Sequence, residues 1–156
     1  MMTEELEVIE IENEQVEEEM PSLNHSIICA DIAEQIYANK RVKALPELTL
    51  DIGNGITPDI SVYERHKIKA DFWKDIIRYS EMPVLAIEVI SQSQNIQDLL
   101  EKAEMLIKNG VKSVWTVEPY TRTVFVMDSK NKQIFNNQEV ESEGIKVDFR
   151  QIFATN

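Results

Sequence analysis

The segment Pro83-Val84-Leu85-Ala86-Ile87-Glu88-Val89-Ile90-Ser91 is a nearly continuous apolar run with one acidic residue near its centre. A short run of this kind predicts a β-strand that is buried on both faces of a sheet. A buried carboxylate costs several kcal/mol unless it is neutralised, paired or bound to a cation. Glu88 therefore marks both a central strand and a candidate functional site.

A second predicted strand carries an acid at its start, in Pro58-Asp59-Ile60-Ser61-Val62-Tyr63. Because successive side chains of a strand point to opposite faces, Glu88 shares a face with Ala86, and Asp59 shares one with Ser61. If the two strands are neighbours, the two carboxylates can converge on a cation, and such oxygen ligands favour Mg²⁺ or Mn²⁺. Pro-Asp is also a common way to enter a strand or turn, so a purely structural role for Asp59 stays open.

The remaining pattern predicts one mixed sheet flanked by helices, an α/β fold of the mixed α+β type. Two stretches have helical periodicity and polar caps: one beginning at Ser22 or Asn24, and one from about Asn95 to Lys108, capped by Ser91 or Ser93 and ended by Asn109-Gly110. Phe72 and Trp73 should anchor a short helical piece, and Gly53-Asn54-Gly55 should form a turn. Further strands are predicted within 41–52, centred on 45–50, and at 113–118, 122–128, 132–135 and 145–149, followed by a turn at 151–153.

The charge of the chain is concentrated in its first 20 residues. They hold nine glutamates and no lysine or arginine, whereas the other 136 residues carry 16 basic and 19 acidic side chains, leaving −3 of the net −12. Residues 1–20 are expected to form a strand or hairpin, or else a solvated acidic tail, and residues 21–156 a single domain. The nearly balanced body weakens a nucleic-acid interpretation without excluding it, because charge can be segregated in the folded protein.

The single cysteine, Cys29, cannot form an internal disulfide, so we expect a cytoplasmic protein. Its apolar neighbours predict a buried structural thiol rather than a nucleophile. The acidic N-terminus argues against a signal or transit peptide, and the short apolar runs argue against a membrane span.

Five motifs occur in an order that is typical of one protein family. They are Pro58-Asp59-Ile60-Ser61-Val62, Glu88-Val89-Ile90-Ser91-Gln92-Ser93, Asp98-Leu99-Leu100-Glu101-Lys102, Asn109-Gly110-Val111 and Val114-Trp115-Thr116-Val117-Glu118-Pro119. Together they resemble the Uma-two family of proposed bacterial endonucleases, within the PD-(D/E)xK restriction-endonuclease-like superfamily. His25 matches a histidine that usually precedes the first helix of that family, and Leu6–Ile9 resembles its N-terminal strand.

The resemblance implies a restriction-endonuclease-like core and metal-assisted hydrolysis of DNA phosphodiester bonds. Asp59 and Glu88 would bind Mg²⁺ or Mn²⁺, with the Val89 carbonyl as a third ligand, and would form the catalytic site together with Lys102. The lysine of the superfamily motif should lie two residues after Glu88, where this chain has Ile90. In the family a lysine on the following helix is thought to substitute, and Lys102 fits that place.

Three further residues are candidate accessory groups. His25 could join the site, although a helix-start or solvent-facing position is the alternative. Glu47 could add an acid near the metal. Asp98 lies one helical turn before Lys102 and could belong to the site or only form an i,i+4 pair with that lysine.

Two departures from the family pattern, at Ser91-Gln92-Ser93 and Glu118, leave other functions open. The favoured hypothesis is a Mg²⁺- or Mn²⁺-dependent endonuclease with DNA as its partner. The second is a catalytically inactive nuclease-fold protein that acts through protein contacts, with a homodimer as one such assembly. The third is an antitoxin-like or DNA-mimic module that uses residues 1–20.

Overall fold

The computed structural model describes residues 21–155, in which one helix is followed by three strands, a second helix, five strands and a short terminal helix. They are α1 (Leu23–Tyr37), β1 (Val42–Pro46), β2 (Ile60–Glu64), β3 (Leu85–Val89), α2 (Ile96–Lys108), β4 (Ser113–Glu118), β5 (Thr123–Asp128), β6 (Lys132–Asn136), β7 (Glu139–Ser142), β8 (Ile145–Asp148) and α3 (Phe149–Ile152). The strand, hairpin or tail predicted for residues 1–20 lies outside the described residues.

Six strands form one mixed sheet in the order β1-β2-β3-β4-β5-β6. The β3 and β4 strands are parallel and are joined by the α2 crossover, as parallel neighbours require, whereas the other neighbours are antiparallel. The β7 and β8 strands pair with each other in a second, antiparallel sheet. The mixed sheet with flanking helices confirms the predicted fold class.

The two faces of the large sheet are covered by different helices. On one face, alternate residues of β3 pack against the buried stripe of α1: Leu85, Ile87, Val89, Ile28, Ile32 and Ile36. On the other face, Ala86 packs with Ala103 and Leu106 of α2. All five residues of β3 are buried, so the central strand and the alternation predicted from its sequence are confirmed.

The helix boundaries follow from their capping groups. The Ser22 side chain accepts the His25 backbone N–H at 3.2 Å, which confirms Ser22 as the start of α1. The predicted Ser91 or Ser93 cap of α2 is wrong, because Asn95 Oδ1 accepts the Gln97 N–H at 2.8 Å and begins the helix there. The predicted end of α2 at Asn109-Gly110 is confirmed, with Gly110 at φ +108°.

The strand predicted at 45–50 is wrong in its placement. The observed strand β1 ends at Pro46, because Glu47 adopts a left-handed backbone conformation with φ +50°. Beyond it, Leu50 forms isolated bridges to Ile56 and Tyr79 around the predicted Gly53-Asn54-Gly55 turn. This stretch, residues 49–57, becomes a loop packed beside the sheet rather than a strand in it.

The helical piece predicted around Phe72 and Trp73 is also wrong. A short 3₁₀ turn occurs earlier, at Arg65–Lys67, and residues 71–74 form a tight turn in which the Lys74 N–H donates to the Asp71 carbonyl at 3.2 Å. Asp71 Oδ1 also accepts the Trp73 N–H at 3.0 Å. A side chain that satisfies the backbone in this way favours a turn over a helix.

The C-terminal region covers the α1 face of the sheet. The β7 strand was not predicted, the strand predicted at 145–149 is β8 of the separate sheet, and the predicted turn at 151–153 overlaps the short helix α3. Trp115 of β4 is fully buried, donates its Nε1–H to Ser142 Oγ at 2.8 Å, and packs edge-on against Phe149. Trp115 is therefore a core residue. No helix within residues 21–155 is long and apolar enough to cross a membrane.

Candidate active site

Asp59 and Glu88 meet at the end of the β2–β3 pair. Ile60 lies opposite Ile87, and Ser61 lies opposite Ala86. Continuing this antiparallel register by one residue places Asp59 opposite Glu88, on the same face. Asp59 Oδ2 also accepts the backbone N–H of Val89 at 2.7 Å, which fixes the aspartate against the end of β3. The structure thus brings together the two acids that the sequence singled out.

The Glu88 carboxyl group is buried in an environment that disfavours its charge. The residue is only 3% exposed. Burial raises the pKa of Glu88 to about 7; the Lys102 ammonium opposes this rise, and the Asp59 carboxylate adds to it. Glu88 Oε1 faces the Lys102 ammonium group at 2.6 Å, in a contact that lies outside regular hydrogen-bond geometry. A buried carboxylate oxygen in such a contact can exchange the ammonium group for a cation.

Lys102 reaches the acids from α2. Its Nζ lies 2.6 Å from Glu88 Oε1 and 3.5 Å from the Thr57 carbonyl oxygen. The helix is held against the sheet by its buried apolar stripe, Leu99, Ala103 and Leu106. Because Lys102 flanks this stripe, its aliphatic stem can follow the helix surface while the ammonium group reaches the end of β3.

His25 supports Asp59 from the opposite helix. It is buried at the start of α1, and its Nε2 lies 3.0 Å from Asp59 Oδ2. The hydrogen bond to Asp59 raises the pKa of His25. The solvent-facing alternative is therefore wrong. Helical spacing carried the relevant signal, because His25 continues the buried stripe of Ile28, Ile32 and Ile36.

Cys29 lies one helical turn beyond His25, with its Sγ 3.9 Å from His25 Nδ1. It is partly buried, and burial raises the pKa of its thiol to about 12. The thiol is therefore neutral near pH 7, in keeping with the structural role predicted for it. Cys29, His25 and Asp59 group their ligand atoms within 4.8 Å of one another. Because the thiol is neutral and His25 already bonds to Asp59, we interpret Cys29 and His25 as residues that hold Asp59 in place.

The other two accessory candidates lie at the periphery. Glu47 is exposed, and it contacts Asp59 through its backbone, whose N–H donates to the Asp59 carbonyl at 3.1 Å. Asp98 is exposed and forms no ion pair within residues 21–155. Lys102 pairs with Glu88 and not with Asp98, so the i,i+4 alternative is wrong. Val89 contacts Asp59 through its N–H, and ligation through its carbonyl stays a prediction.

The residues that meet here fit a hard divalent cation. Asp59 Oδ2 is already occupied by two donors, His25 and Val89, so the other oxygen, Oδ1, is the one that a cation would take. Glu88 supplies a second carboxylate, whose Oε1 is paired with the Lys102 ammonium group. Two carboxylates held from adjacent strands form a donor set that Mg²⁺ or Mn²⁺ accepts.

Comparisons with known proteins agree with this architecture. The crystal structure of a "putative nuclease belonging to DUF820" from Anabaena variabilis ATCC 29413 is similar with a TM-score of 0.73 and 22% identity, covering 86% of this chain and 82% of that chain. At this identity the similarity shows the fold. A DrdV–DNA complex solved by electron cryomicroscopy matches with a TM-score of 0.44 and 13% identity, over 67% of this chain and 9% of that chain. None of the curated proteins matches significantly.

A family model covers almost the whole sequence. It is the Uma2 model, described as "Putative restriction endonuclease", and it matches residues 2–154. The match includes all the motifs on which the resemblance rested and every residue of the site described above. The chain therefore belongs to the Uma2 family.

Proposed function

We propose that the protein is a Mg²⁺- or Mn²⁺-dependent endonuclease that hydrolyses phosphodiester bonds in DNA. The observation that carries this proposal is the convergence of Asp59, Glu88 and Lys102 at one end of the β2–β3 pair, with Glu88 buried. Membership of the Uma2 family supports the same chemistry. We further propose that the enzyme acts in the cytoplasm, as the single cysteine suggests.

The two carboxylates would hold the cation, with the Val89 carbonyl as a third ligand. When bound, a divalent cation stabilises charge that develops on a phosphate and makes a coordinated water more acidic. His25 positions Asp59 through the 3.0 Å contact, so that the aspartate presents its other oxygen to the site. Burial of Glu88 excludes water from its carboxylate and strengthens electrostatic interactions there.

Lys102 would contact the reacting phosphate. In the structure its ammonium group is shared between Glu88 and the Thr57 carbonyl, at 2.6 and 3.5 Å. A lysine in this position can turn from Glu88 to a phosphate oxygen or to the attacking water. It would then stabilise negative charge in the transition state, which is the role that such donors fill in hydrolytic sites.

Nicking of supercoiled plasmid DNA in Mg²⁺ or Mn²⁺ tests the proposal. We expect the wild type to nick the plasmid and Glu88→Gln to lose this activity. Glu104→Gln is the matched control, because Glu104 lies on α2 with its own lysine partner, Lys132, at 2.9 Å and is exposed. Equal cleavage by wild type and Glu88→Gln would remove Glu88 from the mechanism.

One observation favours the second function, a nuclease-fold protein that acts through protein contacts, including as a homodimer. Glu88 and Lys102 already neutralise each other at 2.6 Å, so the pair does not require a cation for charge balance. Thermal melting discriminates the two functions. Ligand binding stabilises a protein by about 2.7 kcal/mol at 100 times its Kd, so the enzyme should melt higher in Mn²⁺. No shift in millimolar Mn²⁺, together with no nicking, would favour the protein-contact function.

A further inference from the structure

The loop of residues 68–78, here called the aromatic loop, presents two adjacent aromatic rings to solvent. Phe72 is 97% exposed and Trp73 is 99% exposed, and Ile77 beside them is also largely exposed. Large apolar side chains are costly to leave in water, and contiguous exposed ones mark interaction sites. These rings contribute almost nothing to the core, so the fold does not explain their presence.

The rings are held in a defined arrangement. Phe72 and Trp73 occupy the two central positions of the tight turn at 71–74, which the Asp71 side chain braces through the Trp73 N–H. The end of the aromatic loop is fastened to the body, because Arg78 pairs with Asp51 at 2.8 Å and also donates to the Gly53 carbonyl. Because the 71–74 turn and the end of the loop are both held by hydrogen bonds, the two rings lose little conformational entropy when a ligand binds.

The surroundings of the rings are basic, in contrast to the rest of the protein. The aromatic loop contains three basic and two acidic side chains, a net charge of +1, whereas the remaining residues together carry −13. Lys69 and Lys74 flank the two rings and form no ion pair among the described residues. Both lysines line the same groove as Phe72, which borders strand β1. Lys43, Asp71 and Asp75 line it as well, so its charged side chains sum to +1.

The aromatic loop is connected to the candidate active site on the α2 side of the sheet. Tyr79, the residue directly after the aromatic loop, bridges to Leu50 and packs edge-on against Tyr63, with ring centroids 5.6 Å apart. Tyr63 lies on β2 and shares a face with Ser61. The 49–57 loop then continues to Thr57, whose carbonyl oxygen contacts Lys102. A ligand that reaches from the rings toward Lys102 would follow this loop.

We propose that the aromatic loop is a contact site for single-stranded DNA, with bases stacked on Phe72 and Trp73 and phosphates bound by Lys69 and Lys74. Charge complementarity selects this occupant, because the two lysines without ion pairs adjoin two free aromatic faces in an otherwise acidic protein. Flat rings next to cations form the platform on which unpaired bases stack, without sequence preference. The inference rests on the proposed function, since it names the form of DNA that the site receives.

Trp73 provides a direct measurement of this contact. The chain has two tryptophans, and Trp115 is fully buried, so quenching of the exposed fluorescence reports Trp73. Titration with an oligothymidylate strand in EDTA should quench the wild-type emission. In fluorescence anisotropy with the same labelled strand, Phe72→Ala/Trp73→Ala should bind at least about tenfold more weakly, because each stacked base is worth a roughly 5- to 150-fold change in affinity. Both side chains are exposed, so the variant should fold normally.

Tyr37→Ala is the matched control, because Tyr37 is also an exposed ring with a lysine, Lys40, 4.3 Å from its centroid. It lies at the far end of α1 and should leave binding unchanged. Lys69→Ala/Lys74→Ala should reduce the slope of log K against log salt concentration by about 1.4, since each phosphate contact to a single strand contributes about 0.7.

The outcomes separate this inference from the proposed function. Equal affinity of wild type and Phe72→Ala/Trp73→Ala for the single strand, or unquenched Trp73, would overturn the inference even if plasmid nicking succeeds. A loss of self-association in the double variant without any change in DNA affinity would overturn it as well, and would assign the loop to contacts between copies. Loop-dependent binding in EDTA without nicking in Mg²⁺ or Mn²⁺ would support the contact site while contradicting the proposed enzyme.

Discussion

Lys102 Nζ approaches Glu88 Oε1 to 2.6 Å, yet the carboxyl group of Glu88 still has a pKa raised to about 7, chiefly because it is buried. The single ammonium group therefore compensates only part of the cost of burying this acid. If no cation bound at Glu88, the folded state would be more stable with a neutral residue at position 88. This relationship has measurable consequences for stability and activity.

The metal-free protein should lose stability as the pH rises from about 4.5 to 7. The pKa of Glu88 is raised from 4.5 to about 7, so the folded state binds more protons than the unfolded state in this window. One unit of pKa corresponds to about 1.4 kcal/mol, so we expect the loss of stability over this window to be a few kcal/mol. His25, whose pKa is also raised, contributes stability that is present below pH 6.5 and is lost as the pH rises through its folded pKa.

Urea unfolding in EDTA across this pH range measures the effect. Glu88→Gln should flatten the pH profile between 4.5 and 7 and should be more stable than wild type at pH 8. Glu104→Gln, on an exposed pair, should keep the wild-type profile. A wild-type profile in Glu88→Gln would assign the slope to other groups.

His25→Ala should weaken Mn²⁺ binding by about 10- to 100-fold, as is typical when a group that orients a metal ligand is removed. The expected reason is the loss of the 3.0 Å contact that holds Asp59 Oδ2. Isothermal titration with Mn²⁺ measures the affinity. His66→Ala is the control, because His66 is exposed and lies 3.7 Å from Glu64, away from the acids. Unchanged Mn²⁺ affinity in His25→Ala would show that Asp59 does not depend on the histidine.

Lys102→Met should separate catalysis from metal binding. We expect the nicking rate to fall by about 10²-fold or more, the usual effect of removing one donor to developing charge. Mn²⁺ affinity should stay equal or increase, because the ammonium group that competes for Glu88 is gone. Lys108→Met, on the exposed surface at the end of the same helix, should change neither quantity. A parallel loss of Mn²⁺ affinity and activity would make Lys102 a structural support of the metal site.

Gly55→Ala should destabilise the protein more than Gly53→Ala. Both glycines have positive φ, at +105° and +53°, but only at Gly55 would a new Cβ lie 3.0 Å from the Thr49 side chain. A Cβ at Gly53 meets nothing within 4 Å, and φ near +53° costs an alanine roughly 1–2 kcal/mol. Urea unfolding of the two variants gives the comparison. Equal destabilisation would mean that the 49–57 loop shifts to accommodate the methyl group.

The central strands and the two acids could be predicted from sequence because their signals are local. The alternation within 83–91 placed Glu88 on the face of Ala86, and the structure confirms this placement. The sequence predicted that Asp59 and Glu88 meet only if their two strands are neighbours, because strand order depends on the packing of the whole chain. The contact of His25 with Asp59 was harder still, since it joins a helix on one face to a strand at the end of the sheet.

Two of the errors arise where a side chain satisfies nearby backbone groups. Asp71 converts an apolar, helix-like sequence into a tight turn, and Asn95 begins α2 in place of the two serines. Glu47 ends β1 through a left-handed conformation, which is uncommon for glutamate and was therefore not anticipated. The β7 strand is short and largely exposed, so it lacks the apolar run that marks a buried strand.

The site described above draws its groups from four separate segments of the chain: the start of α1, the entry to β2, the end of β3 and the middle of α2. No single one of these segments contains all the groups of the site. If the protein has the proposed activity, the polypeptide would be unable to cut nucleic acid during synthesis until the second helix has left the ribosome and docked on the sheet. The proposed hydrolysis would then depend on completed folding.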